Sequence, residues 1–337
     1  MGRPYVKINA HNQIKELSNH LEGILPKLKS LSGVIGITLN GGLSRGFADH
    51  LSEIDLTIYL DSVSYQEWHD KKSPIPLGIV KFDGVLYDIK IIDFDTENGR
   101  IYNHVELWDL SYAKILFDPR GKVAELHNDK LSRKPNITEA EGLLFGAWWN
   151  FRLAGDIWIS RGDILQGHFM FNESVTLLIK ALFLANGEYI PHEKWLIHMS
   201  RSLDWRPKDW ETRLGDAMGT GDLSLSSLVY RQSCIESLWS EIDNYIKDKY
   251  YPGFALHIMQ KSFYDLLKFL VEKETISVEE WKEKGSIAML NGDPFHKVIE
   301  ILEDKIVLHK EKLLALKPED LYSWHDEVLR GVISDLK

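Results

Sequence analysis

The sequence predicts an α+β protein in which a small mixed-sheet domain is followed by an all-helical domain. Short apolar runs with two-residue alternation, the pattern of half-buried strands, occur in about the first 130 residues. Two of these runs are joined by Asp83-Gly84, a strong two-residue hairpin signal. Beyond that region, apolar residues recur at helical spacing without strand alternation. We therefore predict a first domain over residues 1–130 and a second over residues 131–337.

The first domain begins with a helix and a strand. Apolar residues at helical spacing predict a helix over residues 12–31, and a strand follows over residues 34–39. Residues 64–73 are polar without a clear period, which fits a short helix or a loop. A helix is expected over residues 96–108, and a further strand over residues 113–118.

Two acidic residues stand out in the stretch over residues 35–60. An apolar run breaks at Gly41-Gly42, and a strand with strict alternation resumes at Glu53. The carboxylates of Glu53 and Asp55 point the same way and lie within roughly 7 Å of each other. Like charges at this distance favour a bound cation, and oxygen ligands suit Mg²⁺. A solvated acidic strand edge is the alternative, but it would not need the glycine turn upstream.

A third carboxylate lies on the second strand of the predicted hairpin. Asp88 is a charged residue inside an otherwise apolar strand, and it shares one face with Leu86, Lys90 and Ile92.

Helical signals dominate the second domain. Thr138 and Glu141 form a capping-box signature for a helix that extends to about Ser160. A second helix is predicted over residues 166–186 and ends at Gly187. Further helices are predicted over residues 192–203, 228–249, 255–273, 278–284, 294–316 and 318–336.

Composition narrows the class of protein. The chain has 337 residues, 44% of them hydrophobic, which is enough for two domains with full cores. The formal net charge of −10 disfavours a general nucleic-acid binder, because affinity for phosphate backbones comes largely from Lys and Arg. The single cysteine, Cys234, excludes an intramolecular disulfide and a cysteine-based zinc site. The N-terminal residues lack a signal-peptide core and no apolar run approaches about 20 residues, so we expect a cytoplasmic protein without a membrane partner.

The acidic residues and the glycine turn together resemble a known signature. The order of strand, Gly41-Gly42 turn, Glu53-x-Asp55 pair and later Asp88 is similar to that of the nucleotidyltransferase superfamily. That superfamily includes DNA polymerase β, kanamycin nucleotidyltransferase and the lincosamide and streptomycin adenylyltransferases. The resemblance covers about the first 130 residues. It departs at Glu53, where Asp is commoner, but Glu still supplies two oxygens and metal binding is expected to survive.

The resemblance implies a Mg²⁺-dependent transfer of a nucleoside monophosphate, expected to be AMP from ATP, to a hydroxyl group. The acceptor is expected to be a small molecule similar to an aminoglycoside or lincosamide antibiotic. Glu53 and Asp55 would hold Mg²⁺, and Asp88 would either share a second metal or act as general base. The glycine turn and Ser44 would bind phosphate oxygens. A protein-modifying enzyme and a nucleotide-binding regulator without catalysis are the alternatives, and a homodimer stays open.

Two basic residues are further candidates for phosphate binding. Arg45 follows the glycine turn and would either contact phosphate or, as the favoured alternative, brace the loop through an ion pair with Asp49. Lys194 lies in a segment that resembles part of the helical domain of bacterial nucleotidyltransferases, which implies a phosphate contact.

A polar stripe runs along the helix predicted over residues 166–186. His168, Asn172, Thr176 and Lys180 recur at four-residue steps on this otherwise apolar helix. The stripe is either a solvated face or the lining of a cleft, in which case Lys180 would reach the triphosphate.

Overall fold

The computed structural model describes residues 11–82, 84–320 and 323–335. Two compact units divide the chain: a first unit of residues 1–136 with 182–206, and a second unit of residues 137–181 with 207–337. The domain limits at residues 130 and 131 stay a prediction. The placement of residues 182–206 in the first unit is a feature that the sequence analysis did not include.

A mixed five-stranded sheet forms the centre of the first unit, with the strand order β3-β4-β2-β1-β5. The strands are β1 Val34–Leu39, β2 Ile54–Leu60, β3 Gly78–Phe82, β4 Val85–Asp93 and β5 Lys114–Phe117. β2 and β4 are parallel, and the other neighbours are antiparallel. The predicted α+β class is confirmed. β3 and β4 form the predicted hairpin, although Asp83 of its turn lies outside the described residues.

The helices follow in chain order. They are α1 Ile14–Lys29, α2 Gly41–Arg45, α3 Ser62–Glu67, α4 Phe94–Gly99, α5 His104–Leu110, α6 Lys122–Ser132, α7 Glu139–Trp148, α8 Ala154–Arg161, α9 Ile164–Ala185, α10 Glu193–Ser200, α11 Trp210–Met218, α12 Leu225–Tyr250, α13 Lys261–Lys273, α14 Val278–Lys284, α15 Phe295–Val298, α16 Lys310–Ala315 and α17 Ser323–Asp335. The segment over residues 64–73 is helical: α3 continues into a π-helical turn, Trp68–Lys72.

The single helix predicted over residues 96–108 is wrong, because two short helices occupy this segment. α4 begins earlier, where the side chain of Asp93 accepts a hydrogen bond from the backbone of Asp95. α5 begins after a break, and Asn103 and Glu106 form a capping box at its first turn. A capping box satisfies backbone donors at a helix start, so it favours a new helix at this point.

Strand β2 separates the core of the first unit from its polar face. Ile54, Leu56 and Ile58 are buried in one core cluster together with apolar residues of α1. Asp55 alternates with them and therefore faces the other side of the sheet. Burying each of these aliphatic side chains stabilises the fold by about 1.5–3 kcal/mol. A one-residue slip would bury Asp55 instead, so this apolar pattern holds the acidic residue in register.

The second unit is mainly helical, but it also contains a three-stranded sheet. Its strands are β6 Thr275–Ser277, β7 Ile299–Leu302 and β8 Lys305–Leu308, in the order β6-β8-β7. The continuous helix predicted over residues 294–316 is therefore wrong. Leu302 pairs with Lys305, and Glu303 between them has a positive φ of 55°. The turn at Glu303 reverses the chain, and β-branched residues on both sides form a hairpin.

Two residues of the polar stripe of α9, His168 and Asn172, contact a buried arginine in the second unit. Arg231 of α12 is fully buried and donates hydrogen bonds to the carbonyl of His168 at 3.2 Å and to Oδ1 of Asn172 at 2.6 Å. Its Nε donates to the carbonyl of Ala217 at 2.7 Å. Because His168 itself is buried, the solvated-face interpretation is wrong for this residue. These two residues give hydrogen-bond acceptors to a buried charge that would otherwise be unfavourable.

Among the described residues, α9 is the helix that is long and apolar enough to cross a membrane. This finding corrects the expectation that no apolar stretch reaches such a length. It rests on length and composition only, and 61% of the apolar window is buried inside the protein. Core helices of globular proteins share these properties, so the evidence for a membrane span is weak.

Candidate active site

Three carboxylates meet on the polar face of the first unit. Asp55 of β2 and Asp88 of β4 are direct partners in the parallel register, and Glu53 lies just before β2. One oxygen from each lies within 4.8 Å of the others. The structure therefore brings together the three acidic residues that the sequence singled out. We refer to Glu53, Asp55 and Asp88 as the acidic triad.

The acidic triad concentrates negative charge in a partly buried place. Burial, followed by the charges of Glu53 and Asp88, raises the pKa of Asp55 from 3.8 to about 6. The charges of Lys90 and Arg45 act in the opposite direction without cancelling this effect. A divalent cation would relieve the repulsion, and an all-oxygen donor set is the kind that Mg²⁺ prefers. The three carboxylates thus fit a hard divalent ion. This holds for Glu53 as well, although Asp is commoner at its position.

The glycine turn packs directly against the acidic triad. Gly41 has a φ of +63°, and a Cβ atom at this position would lie 1.7 Å from Oδ2 of Asp55. A Cβ on Gly42 would lie 2.9 Å from the carbonyl oxygen of Phe47. Only a residue without a side chain allows the backbone to approach Asp55 this closely. The backbone N–H of Asn40 also donates to the carbonyl of Asp55 at 2.9 Å, which ties the turn to β2.

The hydroxyl of Ser44 is already engaged within the turn. Its Oγ donates to the carbonyl of Gly41 at 2.9 Å, and the side chain is buried. Donation to a phosphate would require this hydrogen bond to break. The role of Ser44 in phosphate binding stays a prediction.

Arg45 lies between two tryptophan rings. Its Cζ is 4.9 Å from the ring centre of Trp108 and 5.1 Å from that of Trp195. Its Nη1 lies 3.3 Å from Oδ1 of Asp109, and only 4% of the side chain is exposed. The sequence analysis did not include this ion pair. Asp49, the partner considered there, accepts hydrogen bonds at Oδ1 from the backbone of Leu51 and the hydroxyl of Ser52.

A pocket of about 700 Å³ lies over the acidic triad, within the first unit. Its lining includes seven of the predicted site residues: Gly41, Gly42, Arg45, Glu53, Asp55, Asp88 and Lys194. The volume is in the range that accommodates small-molecule ligands and cofactors. Lys180, by contrast, lies on the part of α9 that belongs to the second unit. Its contact with phosphate stays a prediction.

Several lining residues were missed by the sequence analysis. Lys90, Asp109, His192 and Trp195 all border the pocket. Lys90 could have been identified, because it shares a strand face with Asp88. The others have no local signal, since they come from α5 and from the segment around α10. Burial raises the pKa of Asp109, while the charges of Arg45, Lys194, Lys90 and His192 oppose this shift.

A hydrogen-bond network stabilises one wall of the pocket. Glu97 is buried and accepts a hydrogen bond from Nη2 of Arg100 at 2.7 Å and one from the hydroxyl of Tyr102 at 2.5 Å. Nη1 of Arg100 donates to Glu106 at 2.5 Å. Charge-assisted bonds of this kind are short and directional, so they hold this wall in place.

The family comparison matches this region of the chain. Residues 21–111 match the nucleotidyltransferase domain family, and this range contains the glycine turn and the acidic triad. The fold and the site therefore define a transferase of phosphorus-containing groups. The chain therefore carries a nucleotidyltransferase domain over residues 21–111.

Comparison with solved structures identifies a distant similarity. The chain is similar to a nucleotidyltransferase-like protein from Exiguobacterium sibiricum 255-15, with 11% sequence identity and a TM-score of 0.40. The similarity covers 77% of this chain and 93% of that chain. No curated protein matches this chain. The assignment rests on the domain match and on the site.

Proposed function

We propose that this nucleotidyltransferase moves AMP from ATP to a hydroxyl group of a small molecule, with Mg²⁺ as cofactor. The observation that carries the proposal is the close packing of Gly41 against Asp55 within a triad of carboxylates. The backbone of the glycine turn suits a phosphate group, and the carboxylate oxygens suit a divalent cation.

Each group in the site would have a defined task. Glu53 and Asp55 would hold Mg²⁺, which when bound neutralises charge at the α-phosphate and on the leaving pyrophosphate, and Asp88 would either share a second metal or act as general base. The glycine turn would let the backbone approach the phosphates. Arg45 and Lys194, which line the same pocket, would contribute positive charge. Catalysis of this kind depends mostly on positioning and on charge stabilisation.

The proposed reaction replaces one oxygen at the α-phosphorus. The acceptor hydroxyl oxygen bonds to the α-phosphorus, and the bond from this phosphorus to the bridging oxygen breaks, so pyrophosphate leaves. The hydroxyl proton passes to a base, and Asp88 is the candidate. Asp88 acting as a ligand of a second metal is the alternative role for the same carboxylate.

The acceptor is proposed to be a cationic small molecule that resembles an aminoglycoside or a lincosamide. The net charge of −10 supports a cationic acceptor, although such a field steers a ligand more than it specifies one. We further propose a cytoplasmic location, where ATP and Mg²⁺ are available, without a nucleic-acid or membrane partner. A protein acceptor, a regulator without catalysis and a homodimer are the alternatives to be tested.

The test is a transfer assay with matched variants. The protein is incubated with Mg²⁺, α-labelled ATP and a panel of aminoglycosides, lincosamides and proteins. We expect labelled acceptor and pyrophosphate from the wild type, and a loss of roughly a hundredfold or more in Asp55→Ala and Asp88→Ala. Asp129→Ala is the control, because its side chain is 70% exposed. Tight ATP binding by wild type and variants, with no transfer to any acceptor, would overturn the proposed catalytic function and favour a nucleotide-binding regulator.

A further inference from the structure

Lys90 places an ammonium group directly beside the acidic triad. Its Nζ lies 3.3 Å from Oδ2 of Asp88, and 68% of the Lys90 side chain is exposed. Lys90 is two residues beyond Asp88 on β4, so both side chains are on the same face of the sheet. Both residues line the pocket of about 700 Å³. The ammonium is therefore accessible from the pocket.

The charge of Lys90 acts on more than its direct partner. It opposes the rise in the pKa of Asp55 within the triad, and it also opposes the rise in the pKa of Asp109 in the same pocket. Lys90 is thus a pocket cation whose charge reaches carboxyl groups both inside and outside the acidic triad. In the register of the sheet Lys90 is opposite Thr57, two residues along both strands from the Asp55–Asp88 pair.

The pairing of Lys90 with Asp88 conflicts with the binding of a divalent ion. A divalent cation and an ammonium group compete for the same carboxylate oxygens and repel each other. Because 68% of the Lys90 side chain is exposed, this ion pair contributes little to stability and can open without disturbing the fold. The lysine side chain is long and flexible, with three rotatable donors, which suits it to change partners. A nucleoside triphosphate would bring phosphate oxygens into the pocket as alternative acceptors.

We propose that Lys90 exchanges partners during substrate binding: it pairs with Asp88 in the free protein and binds a phosphate group of the nucleoside triphosphate in the complex. This inference rests on the proposed function, because it takes the triphosphate to be the ligand of the pocket. Lys90 is then a phosphate-binding residue that also keeps the acidic triad partly neutralised until the nucleotide and its cation arrive.

Two binding measurements with opposite expected signs test this role. The first is the affinity for Mn²⁺ alone, and the second is the affinity for a non-hydrolysable ATP analogue in the presence of Mg²⁺, both by calorimetry. In Lys90→Met, Mn²⁺ binding should tighten by about threefold to tenfold, because a competing positive charge is removed. Affinity for the analogue should fall by about tenfold or more. Lys90→Arg should keep most of the affinity for the analogue, because its charge remains.

Lys81→Met is the matched control, since Lys81 is an exposed lysine on the neighbouring strand β3. It should leave both affinities unchanged, and thermal melting should show that all variants are folded. Unchanged affinities in Lys90→Met, or a parallel loss of both, would overturn the exchange of partners. A wild-type protein that binds Mn²⁺ but no nucleotide would overturn the proposed function and, with it, the phosphate contact of Lys90.

Discussion

Replacing Asp55 by Asn should stabilise the metal-free protein while abolishing its activity. The pKa of Asp55 is raised from 3.8 to about 6, first by burial and then by its acidic neighbours. A carboxyl group with a raised pKa favours folding when protonated, so its contribution is present below pH 3.8 and is lost as the pH rises through about 6. At neutral pH the ionised group destabilises the fold by about 3 kcal/mol, since each pKa unit corresponds to about 1.36 kcal/mol. Partial exposure reduces this figure, and we expect a gain of about 1–3 kcal/mol in Asp55→Asn.

The assay is urea denaturation in the presence of a chelator. Asp55→Asn should be more stable than the wild type at pH 7.5, and the difference should shrink by roughly half at pH 5, where the folded wild type is largely protonated at this site. Mg²⁺ should then stabilise the wild type more than the variant. Asp129→Asn, at an exposed position, should change stability by less than about 0.5 kcal/mol at either pH. A less stable Asp55→Asn protein at pH 7.5, or a gain that does not depend on pH, would refute this reasoning.

Three further predictions concern the glycine turn and the second unit. Gly41→Ala should reduce AMP transfer by roughly a hundredfold, because the new Cβ would displace Asp55. A transfer assay checks this, with Gly46→Ala as the control, because a Cβ at Gly46 meets open space. Equal losses in the two variants would count against the close contact with Asp55. Arg231→Met should lower the free energy of unfolding by about 1–3 kcal/mol, because the polar groups of His168 and Asn172 lose their donor; a variant as stable as wild type in urea would contradict this. Burial, followed by the charge of Arg231, lowers the pKa of His168. The neutral imidazole of His168 therefore stabilises the fold fully above pH 6.5, and this contribution is lost at lower pH as the imidazole is protonated. Denaturation at pH 7.5 and 5.5 should show this loss in the wild type and a smaller one in His168→Gln, and identical pH profiles would exclude it.

The acidic triad could be predicted because its signals are local. The alternation in β2 places Asp55 opposite the buried Ile54 and Leu56, and the hairpin places Asp88 on the neighbouring strand. The two glycines before β2 also have a local cause: Gly41 has no space for a Cβ beside Asp55, and Gly42 has little beside the carbonyl oxygen of Phe47. These inferences need only strand periodicity and turn chemistry, both of which can be read from one sequence.

The remainder of the site depends on contacts between distant parts of the chain. Trp195 and Lys194 join the pocket through α10, and no local pattern indicates that residues 182–206 belong to the first unit. The contacts of Arg45 with Trp108 and Trp195 likewise arise only in the folded chain. Short apolar runs are ambiguous between helix and strand, which is why the β7–β8 hairpin was predicted as a helix.

The central claim is that this protein transfers a nucleoside monophosphate from a nucleoside triphosphate, through attack on the α-phosphorus, at the acidic triad. Parallel reactions with α-labelled and γ-labelled ATP, using the same acceptor panel, test it most directly. We expect the α-label in the acceptor and the γ-label in pyrophosphate, with both products lost in Asp55→Asn. A γ-label in the acceptor, or unchanged transfer by Asp55→Asn, would contradict the account.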